Sequence, residues 1–166
     1  MRVGGPAARV IEPTTEIELI DATRHVWRTD DWLLLGGGSN VVVSDEGFEG
    51  TVIRVVTRGI EVVPGGGARL RVQAGEPWDA VVQYAVERGW AGIEALSGIP
   101  GSTGAAPIQN IGAYGQELAS SLVAVDLLTI QPENLFTCRR RSWNWDTAPQ
   151  LSSAVASALW LRSNSR

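Results

Sequence analysis

The chain has 166 residues, with 14 Lys and Arg against 18 Asp and Glu, a formal net charge of −4, one cysteine and one histidine. This length suits one domain with a real core rather than two full domains, and the charge balance offers no basic stripe for nucleic acid. No run reaches the length of a membrane span or has the layout of a secretory signal, which predicts a soluble cytoplasmic protein; Cys138 and His25 alone make neither an internal disulfide nor a structural zinc site.

Ala8-Arg9-Val10-Ile11-Glu12 reads as a short strand stopped by Pro13, after which Thr14 or Thr15 offers an N-cap oxygen to a helix running to about His25. His25 then falls among polar neighbours and reads as a solvated surface side chain. Trp32-Leu33-Leu34-Leu35 is a continuous apolar run, predicting a strand buried on both faces. It ends at Gly36-Gly37-Gly38-Ser39-Asn40, and Val41-Val42-Val43 predicts extended structure directly afterwards. A dinucleotide fingerprint or a Walker loop must open a helix, so neither motif fits here.

Thr51 to Val56 and Arg69 to Ala74 predict further strands, and Ile60-Glu61-Val62-Val63 reaches the second of these through Pro64-Gly65-Gly66-Gly67 as a hairpin. From Trp78 to Arg88, apolar residues recur at Val81, Val82, Ala85 and Val86 with helical spacing, and Gly89 is placed to terminate that helix. A second glycine-rich loop follows, Gly98-Ile99-Pro100-Gly101-Ser102-Thr103-Gly104, with Ser102 positioned to cap a short helix aimed at an anion. Val123 to Leu128 reads as the last strand of regular pattern. Glycine permits positive φ and lets successive N–H groups converge on phosphate oxygens, so two such loops in one domain point to a dinucleotide. The order of elements predicts an α+β domain of two lobes, about 1–63 and 69–130, with a cofactor in the seam.

Leu35-Gly36-Gly37-Gly38-Ser39-Asn40 together with Arg2-Val3-Gly4-Gly5-Pro6-Ala7 resembles flavoproteins with the vanillyl-alcohol-oxidase (PCMH) type of FAD-binding domain. The string Leu96 to Ser102, continuing through Ala106-Pro107-Ile108-Gln109-Asn110-Ile111-Gly112-Ala113-Tyr114-Gly115-Gln116-Glu117, narrows this to a resemblance to the UDP-N-acetylenolpyruvoylglucosamine reductase family. The resemblance covers about Arg2 to Thr129. It implies FAD held between the lobes, NADPH as reductant and a UDP-sugar enolpyruvate as substrate in peptidoglycan synthesis. By motif matching, Gly36, Gly37, Gly38, Ser39 and Asn40 with Gly101, Ser102, Thr103 and Gly104 hold the pyrophosphate, and Gln109, Asn110 and Gly112 approach the flavin. Tyr114 matches the family tyrosine facing the substrate; a core aromatic is the other reading of it. The resemblance implies no metal and no protein partner.

The family's arginine, in a Gly-Tyr-Arg motif, and its later serine proton donor and glutamate have no counterpart in this chain, so no catalytic residue is assigned and the C-terminal substrate domain is expected to be absent. Residues 131–166 read as an anomalous tail, with Arg139-Arg140-Arg141, Trp143 and Trp145 fitting neither strand nor amphipathic helix. Read from the third base of each codon, Trp143-Asn144-Trp145-Asp146-Thr147 becomes Glu-Leu-Gly, then Tyr or His, then Arg if the Thr147 codon ends in C. The tail is therefore expected to be out of frame, the other reading being a partner-binding segment, since its Trp and Arg content is typical of interface hot spots. Cys138, just before the arginines, is either thiolate-prone through their charge or incidental. Two other functions fit the same residues: another FAD-dependent oxidase or dehydrogenase of the superfamily, and a non-catalytic FAD-binding remnant.

Overall fold

The computed structural model describes residues 4–28, 31–65, 68–129, 134–139 and 154–165. In chain order the elements are strand β1 (Ala7–Ile11), helix α1 (Glu16–Val26), and strands β2 (Trp32–Leu35), β3 (Phe48–Arg54), β4 (Ile60–Val62) and β5 (Ala68–Gln73). Helix α2 (Trp78–Val86), strand β6 (Trp90–Ala91), a single turn of tighter helix (Glu94–Leu96) and helix α3 (Ala106–Gln109) come next. The short strands β7 (Gly112–Ala113) and β8 (Gln116–Glu117), helix α4 (Leu118–Ser121), and strands β9 (Leu122–Thr129), β10 (Asn134–Arg139) and β11 (Ala154–Ser165) complete the fold.

Two principal sheets form two lobes. The first is parallel, with β3 between β1 and β2. The second is antiparallel in the order β10-β9-β11-β5-β4, with β6 paired to β11. Helix α1 starts where its sequence allows. The Thr15 hydroxyl accepts from the Glu18 amide at 3.2 Å, while the Glu18 carboxylate accepts from the amides of Thr14 and Thr15, a capping box that satisfies otherwise orphaned donors.

The apolar residues of the two lobes divide into two clusters. On one face of the second sheet, Leu70 and Val72 of β5 and Val125 and Leu127 of β9 pack with Trp78, Val81, Val82 and Ala85 of α2. Period-two alternation turns the next residue of β9, Leu128, to the opposite face. There it joins Leu19 and Val26 of α1, Ile53 of β3, Val55 and Ala74, so this second cluster is shared by both lobes.

Several expectations are corrected. Strand β2 is an edge strand whose residues are only partly buried. Val41 to Val43 form no strand, because β3 already has β1 and β2 on its two sides and the segment instead closes on the start of the chain, where the Gly5 amide donates to the Ser44 carbonyl at 2.8 Å. The hairpin of β4 and β5 forms as expected, with Ile60↔Val72 and Val62↔Leu70 paired, and β4 is the edge of the second sheet. The stretch read as an anomalous tail supplies two strands, β10 outside β9 and β11 between β9 and β5. Main-chain ladders accept any extended segment without proline, and composition alone hides that option. The arginine and tryptophan positions 140–153 lie outside the described residues.

Ile53 is fully buried on the middle strand of the first sheet and belongs to the shared cluster. Ile53→Ala is expected to lower stability by about 2–5 kcal/mol through lost burial and an unfilled cavity, measured by urea denaturation.

Candidate cofactor-binding site

The two glycine loops meet across the seam between the lobes. A Cβ placed on Gly37 would lie 3.6 Å from the Gly101 Cα, and one on Gly101 would lie 3.4 Å from the Ser39 hydroxyl. A Cβ on Gly36 would collide with the Ser102 hydroxyl. Gly38 has φ +69° and faces open space. A side chain at Gly36 would therefore displace the Ser102 hydroxyl, and Gly38 turns the chain through a region that favours glycine.

The amides of Gly36, Gly37, Ser39, Asn40, Gly101 and Ser102 make no hydrogen bond among the described residues. Donors of this kind, gathered at one place without side chains in front of them, suit an anion with several oxygens. Thr103 and Gly104 behave differently from the sequence expectation. Their amides donate to the carbonyls of Glu76 at 2.8 Å and Ala74 at 2.7 Å, and the Thr103 hydroxyl donates to the same Glu76 carbonyl at 2.9 Å. These two residues shape the loop, and their amides are not available to a ligand. A Cβ on Gly104 would lie 2.7 Å from the Ala74 Cβ, which is why this close approach requires glycine.

The second correction concerns the short helix. Helix α3 begins at Ala106 with no side-chain cap, so Ser102 does not cap it and lies against Gly36 instead. The loop amides, not a helix terminus, are the donors here.

Beyond α3 the chain carries the remaining expected residues. Asn110 ends the helix in the left-handed region (φ 42°, ψ 58°), and its Oδ1 is buried with no hydrogen-bond partner. A buried acceptor without a donor is costly unless a ligand or water supplies one. Gln109 and Gly112 are exposed. Tyr114 is 95% exposed at φ 50°, in the turn joining β7 to β8, which removes its reading as a core aromatic.

Sequence reasoning missed the residues that hold the second loop. The Asp79 carboxylate in the first turn of α2 accepts from the Ser97 hydroxyl and the Gly98 amide, both at 2.8 Å. The Trp78 amide donates to the Gly101 carbonyl at 3.1 Å, and the buried indole N–H donates to the Leu96 carbonyl at 2.9 Å. Glu76 accepts from the Gly59 amide at 2.8 Å, and Thr57 from the Gly75 amide at 3.1 Å. An acidic residue opening a helix was a visible signal, but its partners 18 and 19 positions away were not.

Cys138 is half-buried against the α2-facing cluster, and burial raises its thiol above the usual range, so its side chain is not thiolate-prone. His25 is exposed. Among the described residues no cluster of His, Cys, Asp or Glu is arranged to hold a metal, and no helix is long and apolar enough to cross a membrane.

The Gly98 amide, followed by the Ser97 hydroxyl, holds the Asp79 carboxyl below its ordinary value. Because the folded state favours the carboxylate, this anchor is complete above the ordinary aspartate range and is lost as pH falls through the lowered pKa. Asp79→Ala is expected to lower the protection factor of the Gly98 amide at neutral pH, and in the unaltered chain that protection, taken relative to the intrinsic exchange rate at each pH, is expected to fall only in acid. Hydrogen exchange read by NMR checks both outcomes.

A profile of the FAD binding domain family matches residues 7–138. The chain is 59% identical over 143 residues to UDP-N-acetylenolpyruvoylglucosamine reductase of Leifsonia xyli subsp. xyli, and 49% identical over 142 residues to that of Saccharopolyspora erythraea. Each alignment covers 84% of this chain, which spans 38% and 39% of the two relatives' lengths. The crystal structure of UDP-N-acetylenolpyruvylglucosamine reductase from Thermus caldophilus superposes with a TM-score of 0.76 at 26% identity, covering 95% of this chain and 56% of that one. Cholesterol oxidase from Brevibacterium sterolicum superposes with a TM-score of 0.69 at 17% identity over 94% of this chain and 34% of its own, a likeness of fold alone. By the extent of the family match, with the two-lobed α+β architecture and paired glycine loops described above, the chain belongs to the FAD binding domain family.

Proposed function

We propose that this chain is the FAD-binding portion of an NADPH-dependent UDP-N-acetylenolpyruvoylglucosamine reductase, which converts the enolpyruvyl ether of UDP-N-acetylglucosamine to UDP-N-acetylmuramate in peptidoglycan synthesis. The observation carrying this reading is that Gly36, Gly37, Ser39, Asn40, Gly101 and Ser102, on two loops that meet, have main-chain amides without a hydrogen bond among the described residues. A diphosphate is acceptor-only and anionic, so it calls for such donors. The residues present suit FAD in a second respect, because the buried Asn110 Oδ1 is an acceptor awaiting the kind of N–H that a flavin ring carries.

In this reading Gly38 gives the first loop its turn, and Thr103 and Gly104 keep the second loop's shape through their bonds to Glu76 and Ala74. Gln109, Asn110 and Gly112 lie toward the flavin, and the exposed Tyr114 faces the sugar-nucleotide substrate. When bound, FAD supplies hydride transfer from NADPH to the enolpyruvyl double bond. The neighbouring carbon must then receive a proton. No described residue is assigned that task, so turnover belongs to the longer protein that the relatives represent.

The FAD-binding unit comprises both lobes, and the tail from about residue 131 is translated out of frame. Strand β11 is held in the sheet by main-chain ladders to β9 and β5 and by Leu161, which is buried in the α2-facing cluster. The gene sequence decides this point: a C completing the Thr147 codon restores the arginine, and any other base denies it.

The purified chain is expected to elute from gel filtration yellow, with flavin absorbance coincident with protein. Gly36→Val, which drives a side chain into Ser102, is expected to elute colourless while remaining folded by circular dichroism. A folded, unaltered chain that stays colourless after incubation with FAD would refute the proposal.

A further inference from the structure

We propose that Arg71 is a positioning residue: its tie to Glu16 and Asp126 locks the two lobes in the relative placement that the glycine cradle needs, and so sets the affinity for FAD from outside the cradle. This rests on the reading of the seam as the FAD site.

Arg71 lies on β5 between Leu70 and Val72, whose side chains enter the α2-facing cluster, so strand alternation turns the guanidinium to the other face of the sheet. There its Nη2 donates to both oxygens of Glu16, at 2.9 and 3.1 Å, and to Asp126 Oδ2 at 3.3 Å. Glu16 opens α1, the helix whose Leu19 and Val26 pack with Ile53 of the first sheet. Asp126 is on β9, reached across β11, and is buried with its other oxygen accepting from the Thr137 hydroxyl at 2.6 Å. One end of the chain of contacts is thus anchored in the second sheet and the other in the first lobe.

Apolar contact also joins the lobes on this face, where Leu128 and Ala74 share a cluster with Leu19, Val26, Ile53 and Val55. Apolar contact holds surfaces together without fixing their register, whereas a guanidinium nitrogen shared between carboxylates of two elements fixes their separation. The cradle demands such register: a Cβ on Gly37 would touch the Gly101 Cα, and the Gly104 amide donates to Ala74, just past the end of the strand that carries Arg71. A lateral slip of about an ångström between the lobes would separate amides that must serve one diphosphate.

The test places spin labels on Glu49→Cys and Glu87→Cys, exposed sites in the first and second lobes, in a Cys138→Ser background. It compares the unaltered Glu16–Arg71 pair with Glu16→Gln. Arg54→Gln is the control, since it removes the Glu12–Arg54 ion pair within the first lobe. Glu16→Gln is expected to broaden the interlobe distance distribution in cofactor-free protein. It is also expected to weaken FAD binding about tenfold by flavin fluorescence quenching, with a urea midpoint equal to that of the control. A narrow distribution with undiminished FAD affinity in Glu16→Gln would overturn the proposal, as would an equal loss of affinity in Arg54→Gln. If the unaltered pair takes up no FAD, the function proposed for the seam fails, and the distance distributions alone still decide whether Arg71 locks the lobes.

Discussion

The approach of Gly36 and Gly37 to Gly101 and Ser102 is the constraint on which the candidate site depends. Two lobes with different sheets, one parallel and one antiparallel, are brought so close here that a methyl group at Gly36 would meet the Ser102 hydroxyl. The benefit of that closeness is a set of main-chain donors from two loops brought together without competing partners among the described residues. Anion binding by oriented amides does not require charged side chains, which accounts for a nucleotide site in a chain with an excess of acidic residues.

Strand β5 connects this site to the rest of the fold. Its Leu70 and Val72 are held by α2, and Arg71 reaches α1 on the opposite face. Past the end of the strand, Ala74 receives the Gly104 amide. Helix α2 then grips the second loop at two places, through Asp79 at Ser97 and Gly98 and through Trp78 at Leu96 and Gly101. The second glycine loop is thus built on a buried indole, an edge of the core and a carboxylate.

Local signals in the sequence were sufficient for much of this. Thr15 with Glu18 marks the start of α1, the spacing of Val81, Val82 and Ala85 defines α2, and the Pro64-Gly65 turn places the hairpin of β4 and β5. The two glycine loops were also legible, because bare backbone at such length has few other uses. What failed were features decided by distant partners. The valines at 41–43 have strand propensity but no ladder open to them, and the amides of Thr103 and Gly104 are taken by carbonyls 27 and 30 positions earlier in the chain. Strand β11 shows the converse: a segment with no clear pattern acquires structure because β9 and β5 each present it with an edge.

The central claim is that both loops serve a single ligand. Hydrogen exchange followed by mass spectrometry, with and without FAD, tests it most directly. The account predicts that FAD protects the amides of Gly36, Gly37, Ser39 and Asn40 together with those of Gly101 and Ser102, at the same ligand concentration. Protection of one loop alone, or of neither in a chain that retains its fold, would contradict it.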